Sequence, residues 1–273
     1  MRKNFAQVLK DAKIDINKEY SRLYSLLYKT NVNGIVEDSL YEHINNHFSH
    51  IWFRGTALTL KEFDEDNGFS FCEQPANFNI NYLVLFCEYF YNIIMGYMHA
   101  NYLLCDYLQF IMSQIQKVIF SIGYTTINQD RLIIFVEKSQ SAIAVSEIIE
   151  DKDLSYKTIY YNHHSMKGNI EGKKAILLKY ANLLESKSKL LHNIDSSLKD
   201  DLFYLFNNLN IRHNNIGKDS KNYKRFVSEM SFEQIEEWYD ETYQMCLFAF
   251  LEIEQYERRK KFARLKENIE KTK

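Results

Sequence analysis

A mainly α fold, a multi-helix bundle with a small strand-containing insert, is what three features of the 273-residue sequence predict. One proline and eight glycines are too few to build the turns of an all-β protein of this length. Apolar residues recur at helical spacing along most of the chain. Apolar content is 46% against 26% charged, ordinary for a packed globular chain and contrary to wholesale disorder. No stretch has linker-like composition and no internal repeat is found. The simplest organisation is therefore one domain, residues 1–273, with the insert within residues 125–170.

Helical spacing opens with Phe5, Val8 and Leu9 and continues with Tyr20, Leu23, Tyr24 and Leu27, with a break at Asn31–Gly34. Leu40, Ile44, Phe48, Ile51 and Trp52 then share one face of a second amphipathic stretch. The same stretch carries His43, His47 and His50, which would suit zinc if three imidazoles met on one side of a helix. No carboxylate stands where an H-E-x-x-H site needs one, so a polar helix edge is expected and no metal is assigned. Acidic Glu62–Asp66 runs into the turn signal Asn67-Gly68, and Pro75 punctuates the loop before Ile80–Ile122. That long stretch is apolar nearly all round, which predicts a central buried helix or a pair broken near Gly96–Asn101. Glu88, Asn92, His99, Asn101 and Asp106 interrupt it too often for a membrane span, and His99 reads as a hydrogen-bonded core histidine.

Gly123 ends the run. Arg131–Val136 is the best strand candidate, and Tyr156–Tyr161 reads as a second strand, followed by His163 and His164. Between them Ser141 is placed to cap a short helix with Ala142, Val145, Ile148 and Ile149 on its apolar face. Helices resume near Lys173 with the stripe Ile176, Leu177, Tyr180, Leu183, Leu184, Leu190 and Leu191. Ser197 is placed to cap the next, whose apolar residues are Leu198, Leu202, Leu205, Phe206 and Leu209. Ser231-Phe-Glu-Gln234 is a capping box opening the last long helix. Its expected buried face is Ile235, Trp238, Tyr239, Thr242, Cys246, Ala249 and Ile253, and beyond Tyr256 it becomes heavily charged and frays or projects.

A net charge of −2 provides no global basic field. The distribution is uneven, with Arg212, Lys218, Lys221, Lys224 and Arg225 set against Asp219 alone. Cys72, Cys87, Cys105 and Cys246 form no C-x-x-C pair, which fits buried thiols in a reducing compartment. The first twenty residues lack an apolar core of signal-peptide length, so a cytoplasmic protein is expected. The 20 Tyr and 19 Phe are distributed over nearly every helical face, which assigns them to core packing rather than base stacking.

Leu202–Lys224 is where groups capable of chemistry converge, as an apolar helical repeat runs into Arg212, His213, Asn214 and Asn215. RNA cleavage without metal needs a base, an acid and positive charge beside the phosphate. Continued on a helix, Arg212 and Asn215 share one face while His213 and Gly217 share another. The competing reading is a helix stop, with Gly217 as the left-handed residue and Arg and His at the negative end of the dipole.

The segment LNIRHNNIGKDSKNYK resembles the signature of the HEPN superfamily, an Arg followed by a polar residue and then a His a few residues on. The likeness is strongest from about Lys173 to Glu252, and weaker similarity to abortive-infection members extends upstream. This resemblance implies a helical bundle, homodimerisation that brings two motifs together, metal-independent RNA cleavage without a cofactor, and anti-phage defence alongside a partner defence protein. The chain departs from the pattern: the second histidine should fall near Gly217, Lys218 or Asp219, and none is His. Two expectations follow. In an endoribonuclease, His213 acts as general acid or base, Arg212 stabilises the phosphate, Asn214 and Asn215 orient groups, and Lys218, Lys221 and Lys224 guide RNA. Alternatively, the chain is a catalytically silent dimeric RNA-binding or protein-interaction module. A third reading leaves the cluster a mere helix stop.

Overall fold

Short polar side chains set where the helices begin. Asp15 Oδ1 accepts from the N–H groups of Asn17 and Lys18 at 3.1 and 3.2 Å and starts α1, Ile16–Tyr28. Ser39 and Thr59 do the same for α2, Leu40–Asn46, and α3, Leu60–Asn67, satisfying N–H groups that the first turn leaves without partners. Gly68, at φ 70°, closes α3 in the left-handed conformation that its Asn-Gly signal predicts. The computed structural model describes residues 14–29, 38–100 and 105–271. The expected helical positions Phe5, Val8 and Leu9, the break at Asn31–Gly34, and Asn101 lie outside the described residues. Within them the chain is mainly helical with one small antiparallel sheet, and no helix is long and apolar enough to cross a membrane. Backbone packing divides it into two compact units, Met1–Glu137 and Lys138–Lys273.

The first unit is organised on α4, Ile80–Ala100, and α5, Cys105–Ser121. The long apolar stretch is thus a pair of helices, and Gly96 lies inside the first rather than breaking it. A Cβ there would come within 2.5 Å of the Phe53 ring and 2.8 Å of Ile51, so glycine is what lets that segment lie against α4. Rings dominate the core: Tyr20 stands edge-on to Phe86 with centroids 5.0 Å apart, and its hydroxyl donates to the Cys72 carbonyl at 2.6 Å. Trp52, expected on the buried face, is exposed, because α2 stops at Asn46 and a 3-10 turn over Phe48–His50 changes the register. His43 Nε2 shares a 2.7 Å hydrogen bond with the Tyr97 hydroxyl, and His47 Nδ1 donates to the His43 carbonyl at 2.8 Å. Burial and then the neighbouring His47 lower the His43 pKa.

Strands β1, Tyr124–Gln129, and β2, Leu132–Glu137, form a hairpin in the register Tyr124↔Glu137 to Gln129↔Leu132. Asp130 and Arg131 take φ of 48° and 73°, the two positive values that a tight hairpin turn requires. Two side chains one turn apart on α4 cover the other edge of β2. Asn92 exchanges two hydrogen bonds with Ile133, accepting at 2.9 Å and donating at 2.7 Å, and Glu88 accepts from Phe135 N–H at 2.7 Å. A hairpin left with a bare edge would be marginal; here side chains stand in for a third strand.

In the second unit α6, Gln140–Ile148, is capped by Ser139 rather than Ser141, with Ala142 N–H at 3.2 Å. The expected strand Tyr156–Tyr161 is instead helical up to Tyr160, within α7, Lys152–Tyr160. Asp151 caps it, the Lys157–Asp153 pair spans one turn, and buried Thr158 bonds the Leu154 carbonyl at 2.7 Å and the Tyr180 hydroxyl at 2.6 Å. Those local bonds outweigh the strand preference of its aromatic residues. Helices α8, Ile170–Ser186, α9, Ser188–Ile194, and α10, Ser196–Asn208, pack against the N-terminal half of α12, Phe232–Lys271, with a short α11, Arg225–Ser228, before it. Asp195, not Ser197, caps α10 through Leu198 N–H at 2.9 Å. The capping box is present, with Ser231 N–H donating to Gln234 at 2.9 Å and Gln234 N–H to Ser231 at 3.3 Å. Buried Lys173 ties α8 to α12 by donating to Glu236 at 2.7 Å and Asp240 at 2.6 Å. The buried face of α12 runs through Tyr239, Tyr243, Cys246 and Phe250 and leaves Trp238 outside. From Arg258 to Lys271 every residue is exposed, yet the segment stays helical.

Asp64 of α3 is the buried acid of the first unit, 8% exposed, and its Oδ2 accepts from the Tyr41 and Tyr89 hydroxyls at 2.8 and 2.9 Å. Burial outweighs both bonds and pushes the carboxyl up to about 6. An unfolded Asp releases its proton near 4, so this site stabilises the fold fully below about pH 4 and loses that contribution as pH rises through 6. Urea unfolding of the wild type between pH 4 and 7 should therefore show stability falling by on the order of 2–3 kcal/mol, and Asp64→Asn should flatten that slope. An unchanged slope in the variant would assign the dependence elsewhere.

Candidate functional site

The helix carrying the apolar repeat ends earlier than the Arg–His–Asn cluster. Asn210 takes φ 56° two residues past the end of α10, and the Arg212 N–H returns to the Phe206 carbonyl at 2.9 Å. The left-handed stop expected at Gly217 is thus made by Asn210, a residue type that tolerates this conformation. Arg212, His213, Asn214 and Asn215 consequently lie in a loop, and the helical faces expected to pair Arg212 with Asn215 and His213 with Gly217 do not exist.

Asn215 is fully buried at the centre of that loop. Its Oδ1 accepts from the Asn210 N–H at 2.7 Å, and its Nδ2 donates to the Asn222 carbonyl at 2.8 Å. Its own N–H donates to Asn210 Oδ1 at 3.2 Å, while its carbonyl accepts from Lys224 N–H at 2.8 Å. Asn214 bonds the loop backbone three residues on, its Oδ1 accepting from Gly217 N–H at 2.8 Å. Both amides hold the backbone, Asn215 through donor and acceptor alike and exposed Asn214 through its oxygen.

Arg212 is likewise engaged. Nη2 donates to the Ala181 carbonyl at 2.6 Å, and Nη1 pairs with Glu185 at 2.5 Å, both on α8. The guanidinium carbon lies 5.3 and 5.5 Å from the Phe203 and Phe206 ring centres on α10. It fastens the end of α10 to α8, and the Glu185 carboxylate offsets its charge.

His213 is exposed and lines an open cleft of about 520 Å³ with Arg212, Asn214, Gly217, Glu171 and Lys174. Sequence reasoning singled out Arg212, His213 and Asn214 and missed Glu171 and Lys174, which come from the first turns of α8. Nothing local marks them, because only the packing of α8 against the loop brings them there. Lys218, Lys221 and Lys224 stand exposed on the rest of the loop, and among the described residues none is paired with a carboxylate. The cluster therefore separates into an inward part, Arg212 and Asn215, and a solvent-facing part, His213 and Asn214 with the lysines. The described cleft offers one imidazole beside the Glu171 carboxylate and the Lys174 ammonium, and cleavage of a phosphodiester through its 2′-hydroxyl needs a base and an acid together. No known protein family, curated protein or solved structure matches the chain.

Truncating Asn215 leaves two buried backbone groups without their side-chain partner. In chemical denaturation, Asn215→Ala should lower stability by about 3 kcal/mol, while His213→Ala should stay within about 0.5 kcal/mol of wild type. Equal small effects would contradict the division of the cluster.

Proposed function

We propose that the second unit is a catalytically silent, HEPN-like RNA-binding module, in keeping with the resemblance of Lys173–Glu252 to the HEPN superfamily. One observation carries this reading: both terminal nitrogens of Arg212 are taken, by Ala181 and Glu185, and its guanidinium lies near two rings, which leaves the buried Nε as its unpartnered donor. What remains toward solvent is mostly positive, Lys218, Lys221 and Lys224 on the loop and Lys174 at the cleft beside His213, with Asp219 and Glu171 as the exposed acids among them. Exposed cations of this kind suit phosphate contacts that hold RNA without selecting a sequence.

Fluorescence polarisation with a labelled single-stranded RNA tests the reading. The wild type should retain RNA with an affinity that falls steeply with salt, and Lys221→Glu with Lys224→Glu should weaken it about tenfold or more. The RNA should remain intact on a gel in the presence of EDTA. Cleavage by the wild type that His213→Ala abolishes would restore the endoribonuclease reading, and no retention at any salt concentration would remove RNA as the ligand.

A further inference from the structure

Several large rings of the second unit are exposed, and three of them converge. Tyr204 is 67% exposed, Phe226 76% and Trp238 45%, and all three line one concavity of about 240 Å³. Leu209, Val227 and Met230 line it as well, and Lys224 completes it. The rings come from α10, α11 and α12, whose buried faces use other residues: Leu202 and Phe206 on α10, Val227 on α11, Tyr239 and Tyr243 on α12. Packing of the unit thus does not need these rings, and an isolated exposed ring would mean little. Three converging on one groove present flat apolar faces to whatever enters it.

Charge selects the occupant. The Lys224 backbone is held by Asn215, which fixes the residue at the groove, and exposed Lys221 lies on the same loop. Among the described residues neither lysine is paired with a carboxylate; Arg225 beside them is paired with Glu229. A second copy meeting the groove across a two-fold axis would bring these lysines against themselves. A duplex would keep its bases stacked inside and away from the rings. A single strand offers what both halves of the site require, unstacked bases for the rings and phosphates for the lysines.

We propose that this groove receives the bases of single-stranded RNA, stacked on Tyr204, Phe226 and Trp238, with Lys221 and Lys224 on the flanking phosphates. The inference rests on the RNA-binding reading above and adds where and how the strand is held.

The chain has two tryptophans, so Trp52→Phe leaves Trp238 as the sole reporter of the groove. Titration with a single-stranded oligoribonucleotide should quench its emission, and an abasic strand of the same length should bind more weakly and leave the emission unchanged. Tyr204→Ala and Phe226→Ala should each weaken binding roughly five- to a hundredfold while leaving the melting temperature near wild type, since both side chains are exposed. RNA retained with unchanged Trp238 emission and wild-type affinity in both variants would overturn the groove while leaving RNA binding standing. Equal affinity for the abasic strand would overturn stacking and assign the rings to a protein partner. No binding of any strand would remove both readings.

Discussion

The Asn215 carboxamide determines what the loop after α10 can be. A buried amide must find partners for its donor and acceptor, and this one finds them in backbone groups on both sides of the loop, at Asn210 and Asn222. With the Lys224 N–H on the Asn215 carbonyl, residues 210–224 are cross-linked at a single point. Arg212 adds the second fastening, to the Ala181 carbonyl and Glu185 on α8. Positions of Ile211, buried below, and His213, exposed above, follow from those two anchors.

The same logic runs through the first unit, where polar groups in apolar surroundings are placed to complete the backbone. Asn92 and Glu88 reach from α4 to the open edge of β2, and Gly96 gives up its side chain so that Ile51 and Phe53 can approach. Asp64 differs, since its two tyrosine donors do not offset its burial and the carboxyl is left easier to protonate. In the second unit Lys173 escapes that penalty by meeting two carboxylates, Glu236 and Asp240.

This organisation gives the Arg–His–Asn segment a division of labour. Arg212 and Asn215 are turned inward as ties, and the groups facing water are the His213 imidazole, Asn214 and the ammonium groups of the loop with Asp219 among them. An imidazole alone supplies acid or base, whereas ammonium groups on a fixed loop supply attraction at a distance. The exposed rings beside them add contact area that charge alone does not provide.

Much of the architecture was legible in the residues themselves. Helical periodicity, scarce Gly and Pro, the Asn67-Gly68 stop, the Arg131–Val136 strand and the Ser231 capping box depend on contacts within a few positions, so local sequence determines them. Tertiary structure decided the rest. Tyr156–Tyr161 became helical because Thr158 is buried against Tyr180, 22 positions away, and Trp238 turned outward because Tyr239 and Tyr243 took the core face of α12. Above all, the sequence placed Arg212, His213, Asn214 and Asn215 side by side but could not say which way each would face. That depended on distant partners, Ala181 and Glu185 on another helix, because a buried donor goes wherever the packed fold leaves it an acceptor.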